Sequence, residues 1–83
     1  MPWTEANNKL AQTYKFEDFK AAFAWMTEVA KAAEDAGHHP KWTNVYNTVE
    51  VELTTHDAGN TVTEKDHKLA EKMDWIYTKY RIA

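Results

Sequence analysis

Residues 41–55 read KWTNVYNTVEVELTT, and the fold turns on this stretch. It is dense in β-branched and aromatic residues, which fit a pleated, half-buried surface. In its second half Val49, Val51 and Leu53 fall on one side, and Glu50, Glu52 and Thr54 on the other. A strand with one apolar and one polar face belongs to an antiparallel sheet with a core on one side and water on the other. The stretch therefore predicts a hairpin, KWTNVY against VEVELTT, turning at Asn47-Thr48. Any helices must pack on the single dry face.

The flanking segments supply those helices. Upstream, Phe19, Ala22, Phe23, Met26, Val29, Ala30 and Ala33 recur at spacings of three and four, which predicts a helix over 18–36. Asp18 suits its N-cap, Gly37 suits a left-handed C-terminal residue, and Pro40 forbids continuation. Downstream, HDAGN reads as a loop, and TEKD from Thr63 resembles a capping box with Asp66 in the third position. Leu69, Met73, Ile76 and Tyr80 form the apolar stripe of a last helix. Lys79 and Arg81 are expected in its last turn, where cations suit the helix dipole. Before the first helix, Leu10, Gln12, Tyr14 and Phe16 alternate with Ala11, Thr13 and Lys15. Asn7-Asn8 tolerates a tight turn, so a hairpin pairing roughly 3–6 with 9–16 is expected. The order β-β-α-β-β-α implies an α+β fold: a four-stranded antiparallel sheet with both helices on one face.

With 83 residues, one domain is expected over 1–83, and its core is thin. There is no cysteine, hence no disulfide or thiolate staple. Four Trp, four Tyr and three Phe compensate with large apolar area, and oligomerisation is the other expected support. A formal charge of -3 argues against a direct nucleic-acid binder. No apolar run approaches the ~20 residues that span a bilayer. MPWTEANNKL has neither the basic nor the apolar region of a signal peptide. A soluble, cytoplasmic protein is expected.

The chemistry concentrates in two loops, HHP at 38–40 and TTHDAGN at 54–60. His38, His39 and His56 can converge at one end of the sheet, with Asp57 and Asp66 near His56 in sequence. Imidazole gives and takes protons near neutral pH. The chain has no serine or cysteine to act as nucleophile, which leaves proton-transfer chemistry such as dehydration or isomerisation. Zinc on three His and an Asp is the sharper rival. Against it, adjacent His38 and His39 on an extended chain point to opposite sides. Plainer roles exist for several residues. Trp42 and Tyr46 suit the core or the sheet face, Glu34 a solvated last turn, and His67 ordinary surface. For Asp66 helix capping is the main expected role, so Asp66→Asn should be mild and Asp66→Ala should cost roughly 0.5–1 kcal/mol.

Glu34, His38, His39, Pro40, Tyr46, His56 and Asp66, in that order and spacing, resemble the signature of the pterin-4a-carbinolamine dehydratase family, also known as the dimerisation cofactor of a hepatic homeodomain activator. YKFEDFKAAFAWMTEVAKAAE resembles the family's strand-to-helix entry, and Trp3 matches a tryptophan at the start of its first strand. The resemblance implies a pterin substrate, a 4a-hydroxytetrahydropterin, which loses water to give the quinonoid dihydropterin and so recycles the cofactor of aromatic amino-acid hydroxylases. It implies His38, His39 and His56 as catalytic residues. Pro40, Thr55, Asp57, Ala58, Trp3 and Glu34 would touch substrate, with Asp66 behind them. No metal and no organic cofactor are implied. The assembly implied is a homodimer joined through sheet edges, or a tetramer. A second reading is an interaction module that regulates a transcription factor or a hydroxylase through its oligomer surface. The chain departs from the pattern at Gly37, where an acidic residue is common, and in a His56–Asp66 loop one residue longer than in the vertebrate enzymes. Family members also carry an N-terminal helix of about twenty residues before the tryptophan, which would bear on assembly more than on chemistry.

Overall fold

The computed structural model describes residues 3–81. Strands β1 (Thr4–Ala6) and β2 (Lys9–Lys15) lead into helix α1 (Phe19–Ala36). Strands β3 (Lys41–Val45) and β4 (Thr48–Leu53) follow, then a 3-10 turn at His56–Ala58 and helix α2 (Glu64–Tyr77). The sheet order is β1-β2-β4-β3, antiparallel throughout. This is the expected β-β-α-β-β-α, α+β architecture.

The pleat sets which face is dry. The β2–β4 register pairs Leu10 with Leu53, Gln12 with Val51 and Tyr14 with Val49. Leu10, Tyr14, Val49, Val51 and Leu53 thus share one face, and all five are buried. The intervening Thr13, Lys15 and Glu50 are exposed. Both helices cover the dry face. α1 contributes Ala22, Trp25, Val29 and Ala33, and α2 contributes Leu69, Ala70, Met73, Ile76 and Tyr77. Trp25 sits at the centre, its ring centroid 4.4 Å from Tyr14 and 5.4 Å from Phe16, with its indole N–H donating to the Met73 carbonyl at 3.2 Å.

Local signals explain the element ends. Asn7 and Asn8 both take positive φ, 54° and 62°, the left-handed backbone that a two-residue hairpin needs. The Asp18 carboxylate caps α1 by accepting from Ala21 N–H at 2.8 Å. Gly37, at φ 63°, ends it, and the next N–H, that of His38, closes onto the Ala33 carbonyl at 3.0 Å. This six-to-one bond is the closing link of a Schellman motif, and it anchors the chain where His38 begins.

Four expectations need correction. The second hairpin turns at Tyr46-Asn47, one residue earlier than expected, because Val45 pairs with Thr48. Tyr46 is left at φ 50° and exposed; the Asn44 side chain pins the turn by donating to the Tyr46 and Thr48 carbonyls. The buried stripe of α1 runs through Trp25, while Phe19 and Phe23 are 47% and 54% exposed, and Ala30 is exposed. α2 stops at Tyr77, so Lys79, Tyr80 and Arg81 lie beyond it. Lys79 does not serve that helix end: it pairs with Glu28 of α1 at 2.5 Å, and Tyr80 O–H donates to the same carboxylate.

Candidate functional site

The antiparallel pairing of β3 with β4 decides where the two histidine loops meet. Lys41 lies opposite Glu52 at the open end of this hairpin, so the residues just before β3 and just after β4 are neighbours. The first set is Gly37–Pro40 and the second Thr54–Asp57. Together with Lys41 and Lys65 they line one cavity of about 380 Å³. Of the residues expected at the site, His38, His39, Pro40, Thr55, His56 and Asp57 meet there.

Each imidazole is held by an acceptor from its own chain. His38 is the buried one, and its Nε2–H donates to Asp66 Oδ1 at 2.5 Å. His39 is exposed and donates through Nε2 to Glu34 Oε1 at 2.9 Å. The His56 Nδ1–H donates to the Asn60 side-chain carbonyl at 2.7 Å. A neutral imidazole with one N–H so engaged offers its other nitrogen as a base. The free nitrogens are Nδ1 of His38, Nδ1 of His39 and Nε2 of His56. No buried side-chain polar atom lacks a partner among the described residues, so the unbonded His38 Nδ1 is reached by solvent.

Asp66 carries more than the cap. Its Oδ2 accepts the Thr63 N–H at 2.9 Å, the carboxylate half of a capping box. The same oxygen accepts the Thr55 hydroxyl at 2.7 Å, and Oδ1 holds His38. The side chain is fully buried. Burial alone would raise its carboxyl; the hydrogen bonds from His38, Thr63 and Thr55 outweigh that and hold it below the ordinary carboxylate range. It stays ionised and acts purely as an acceptor for His38.

Thr55 organises the second loop. Its N–H donates to the Thr61 carbonyl at 2.9 Å, while its own carbonyl accepts from Ala58 at 3.2 Å and Asn60 at 3.1 Å. Two successive left-handed residues, Gly59 at φ 80° and Asn60 at φ 60°, turn the chain back and bring the Asn60 amide over His56. Asparagine tolerates that backbone, and its short side chain reaches four residues back.

Three expected residues lie elsewhere. Ala58 sits farther along the 3-10 turn, outside the cavity lining, its carbonyl accepting the Thr61 hydroxyl at 3.0 Å. Glu34 touches His39 from outside the cavity. Trp3 is not brought to the histidines. Its indole N–H donates to Asp74 at 3.1 Å, its ring packs edge-on to Tyr14, and it lines a separate groove beside His67. β1 is the sheet edge remote from β3, which is the reason for the separation. Sequence reasoning missed Lys41, Lys65 and Asn60. Lys41 directly follows HHP, and Asn60 stands four residues after His56, so position carried a signal for both. No such clue marked Lys65. Among the described residues, no three His, Cys, Asp or Glu side chains converge closely enough to hold a metal ion.

The molecule is a small α+β protein in which three imidazoles border one cavity. A family model described as pterin 4 alpha carbinolamine dehydratase matches residues 1–76. A protein of Solibacter usitatus, provisionally named a pterin-4-alpha-carbinolamine dehydratase, is 54% identical over 87% of this chain and 75% of its own. A Rhodopseudomonas palustris protein with the same provisional name is 51% identical over 95% of this chain and 77% of its own. A crystal structure of a transcriptional coactivator/pterin dehydratase from Brucella melitensis superposes with a TM-score of 0.85 at 43% identity, covering 89% of this chain and 80% of that one. A pterin dehydratase-like RuBisCO assembly factor of the alpha-carboxysome shares the fold, with a TM-score of 0.73 at 17% identity over 90% of this chain and 86% of that one. The chain belongs to the pterin-4-alpha-carbinolamine dehydratase family, a family of lyases.

Proposed function

We propose that this chain dehydrates a 4a-hydroxytetrahydropterin to the quinonoid dihydropterin by acid/base catalysis from its histidines. The observation that carries this reading is that His38, His39 and His56 line one cavity, each tied through one nitrogen and free at the other. In the reaction the C4a–O bond breaks as the hydroxyl takes a proton from one imidazolium and leaves as water. The N5 lone pair closes the C4a=N5 bond, and the N5 proton passes to a second imidazole. One proton has then moved from acid to base inside the site. His39 and His56 are both exposed, so solvent can return it before the next turnover. Each well-placed group is worth on the order of 10²–10⁴ in rate. The buried His38, clamped through Nε2 by Asp66, presents its unprotonated Nδ1 to the ring, so its tautomer matters to the reaction.

The test is dehydration of a 4a-hydroxytetrahydropterin by purified protein, with and without a chelator. Activity is expected in both. His39→Ala and His56→Ala should each lose at least about tenfold. His67→Ala, in the separate groove near Trp3, should not. Activity abolished by chelation and restored by zinc would overturn the proton-transfer account, and equal rates in all three variants would overturn the site.

A further inference from the structure

The seam between α1 and α2 holds a groove of about 450 Å³ that nothing above uses. Lys65, Lys68 and Lys72 line one side, two alanines of α1 and Leu69 form an apolar floor, and Asp35 is the single acidic side chain. The lysines are spaced three and four apart, so they share one helix face and span about 10 Å. Among the described residues none of the three forms an ion pair, whereas Lys9, Lys41 and Lys79 all do. Like charges gathered on one face repel, and the chain as a whole carries a net charge of -3. The groove therefore runs against the overall sign of the molecule. It is also continuous with the catalytic cavity, since His38 and Lys65 line both.

A ligand whose ring lies among the histidines can extend past His38 into the groove that starts at Lys65 and continues to Lys68 and Lys72. The apolar floor suits a short carbon chain and the ammonium groups suit an anion. We propose that the substrate is a pterin whose side chain carries an anionic group, phosphate or carboxylate, held by this lysine row. The inference rests on the dehydratase reading and narrows its substrate.

Oxidised pterins cannot be dehydrated, and their fluorescence reports binding without turnover. The probes are 6-hydroxymethylpterin, its phosphate ester, and a pterin bearing a benzoylglutamate side chain. One or both anionic pterins should bind at least about tenfold more tightly than the neutral one, and which does so identifies the anion. The advantage should vanish at about 0.5 M salt, where screening shortens to a few ångströms. It should also vanish in Lys68→Gln/Lys72→Gln, which keeps helix propensity and leaves the neutral pterin's affinity unchanged. Equal affinity for all three, or an advantage that survives the double substitution, would overturn the inference. Absent dehydration would refute the proposed function without altering the affinity ratio. Equal affinities would refute the groove without touching the dehydration assay.

Discussion

Replacing Asp66 separates capping from proton placement, because one carboxylate performs both. Asp66→Ala removes the acceptor for three donors. Loss of the cap costs about 1 kcal/mol. The Thr55 hydroxyl keeps a partner in Thr63 Oγ1 at 2.7 Å, so its share is small. The His38 Nε2–H, on a side chain only 10% exposed, is left without an acceptor, at about 1–3 kcal/mol. The total is roughly 2–4 kcal/mol, well above what a cap alone predicts. Asp66→Asn behaves differently. Its carbonyl can face Thr63 and Thr55, which leaves the amide NH2 facing His38. His38 must then accept at Nε2 and carry its proton on Nδ1, the nitrogen that was free. Stability should fall by about 1 kcal/mol or less, while dehydration falls on the order of 10²-fold or more because His38 presents the wrong tautomer. Urea denaturation, dehydration kinetics and ¹⁵N shifts of the His38 ring read these separately. An Asp66→Asn protein with full activity would refute the link between this carboxylate and the site. An Asp66→Ala protein as stable as the parent would refute the buried-acceptor arithmetic.

Three further outcomes are expected. Asn60→Gly keeps the left-handed backbone at φ 60° and deletes the acceptor for His56, so dehydration should drop roughly tenfold with the melting temperature nearly unchanged; ¹⁵N spectra should show His56 losing its Nδ1–H tautomer. Because the folded Asp66 carboxyl lies below the ordinary range, its stabilisation is complete above the unfolded value near ~3.9 and is lost as pH falls through the folded value; urea midpoints from neutral pH downward should decline more gently there in Asp66→Asn. Finally, Val45, Tyr46 and Trp75 are 70%, 62% and 71% exposed, and β1 and β3 are open sheet edges, so sedimentation equilibrium at micromolar concentration should find at least a dimer, against a monomer mass of 9.6 kDa.

Much of the architecture was legible because local signals agreed with the packing. Asp18 and Gly37 bracket α1, and the Val49-Val51-Leu53 alternation orients β4. Where two local patterns were equally good, sequence could not choose. In α1, Phe19, Phe23, Met26 and Ala30 satisfy helical spacing as well as Ala22, Trp25, Val29 and Ala33 do. The sheet and α2 selected the second set, which carries the larger ring. Tyr46 was misplaced because its strand propensity outweighed a turn pinned by the Asn44 side chain. At the site, the adjacency of the two histidines was plain in the sequence, but the partition between a buried His38 and an exposed His39 was not, and the His38–Asp66 contact spans 28 residues and left no local trace. The capping pattern accounted for Asp66 locally; the family resemblance, not the residues around it, placed it behind the substrate contacts.

The double task of Asp66 follows from the fold. The C-terminus of α1, the open end of the β3–β4 hairpin and the N-terminus of α2 all arrive at the same end of the sheet, so the groups that finish the elements line the cavity, as Gly37 and Thr55 do, or hold the residues that line it, as Thr63 and Asp66 do. Gly37 ends α1 and releases His38; Thr55 leaves β4, ties the 3-10 turn and donates to Asp66; Thr63 opens α2 on that same carboxylate. In a chain this small there is little core to spare for a separate scaffold under the site. Termination bonds must orient the imidazoles as well as close the helices. Substitutions at Gly37, Thr55 or Thr63 should therefore perturb stability and catalysis together, whereas His39 and Asn60, which end no regular element, can alter catalysis alone.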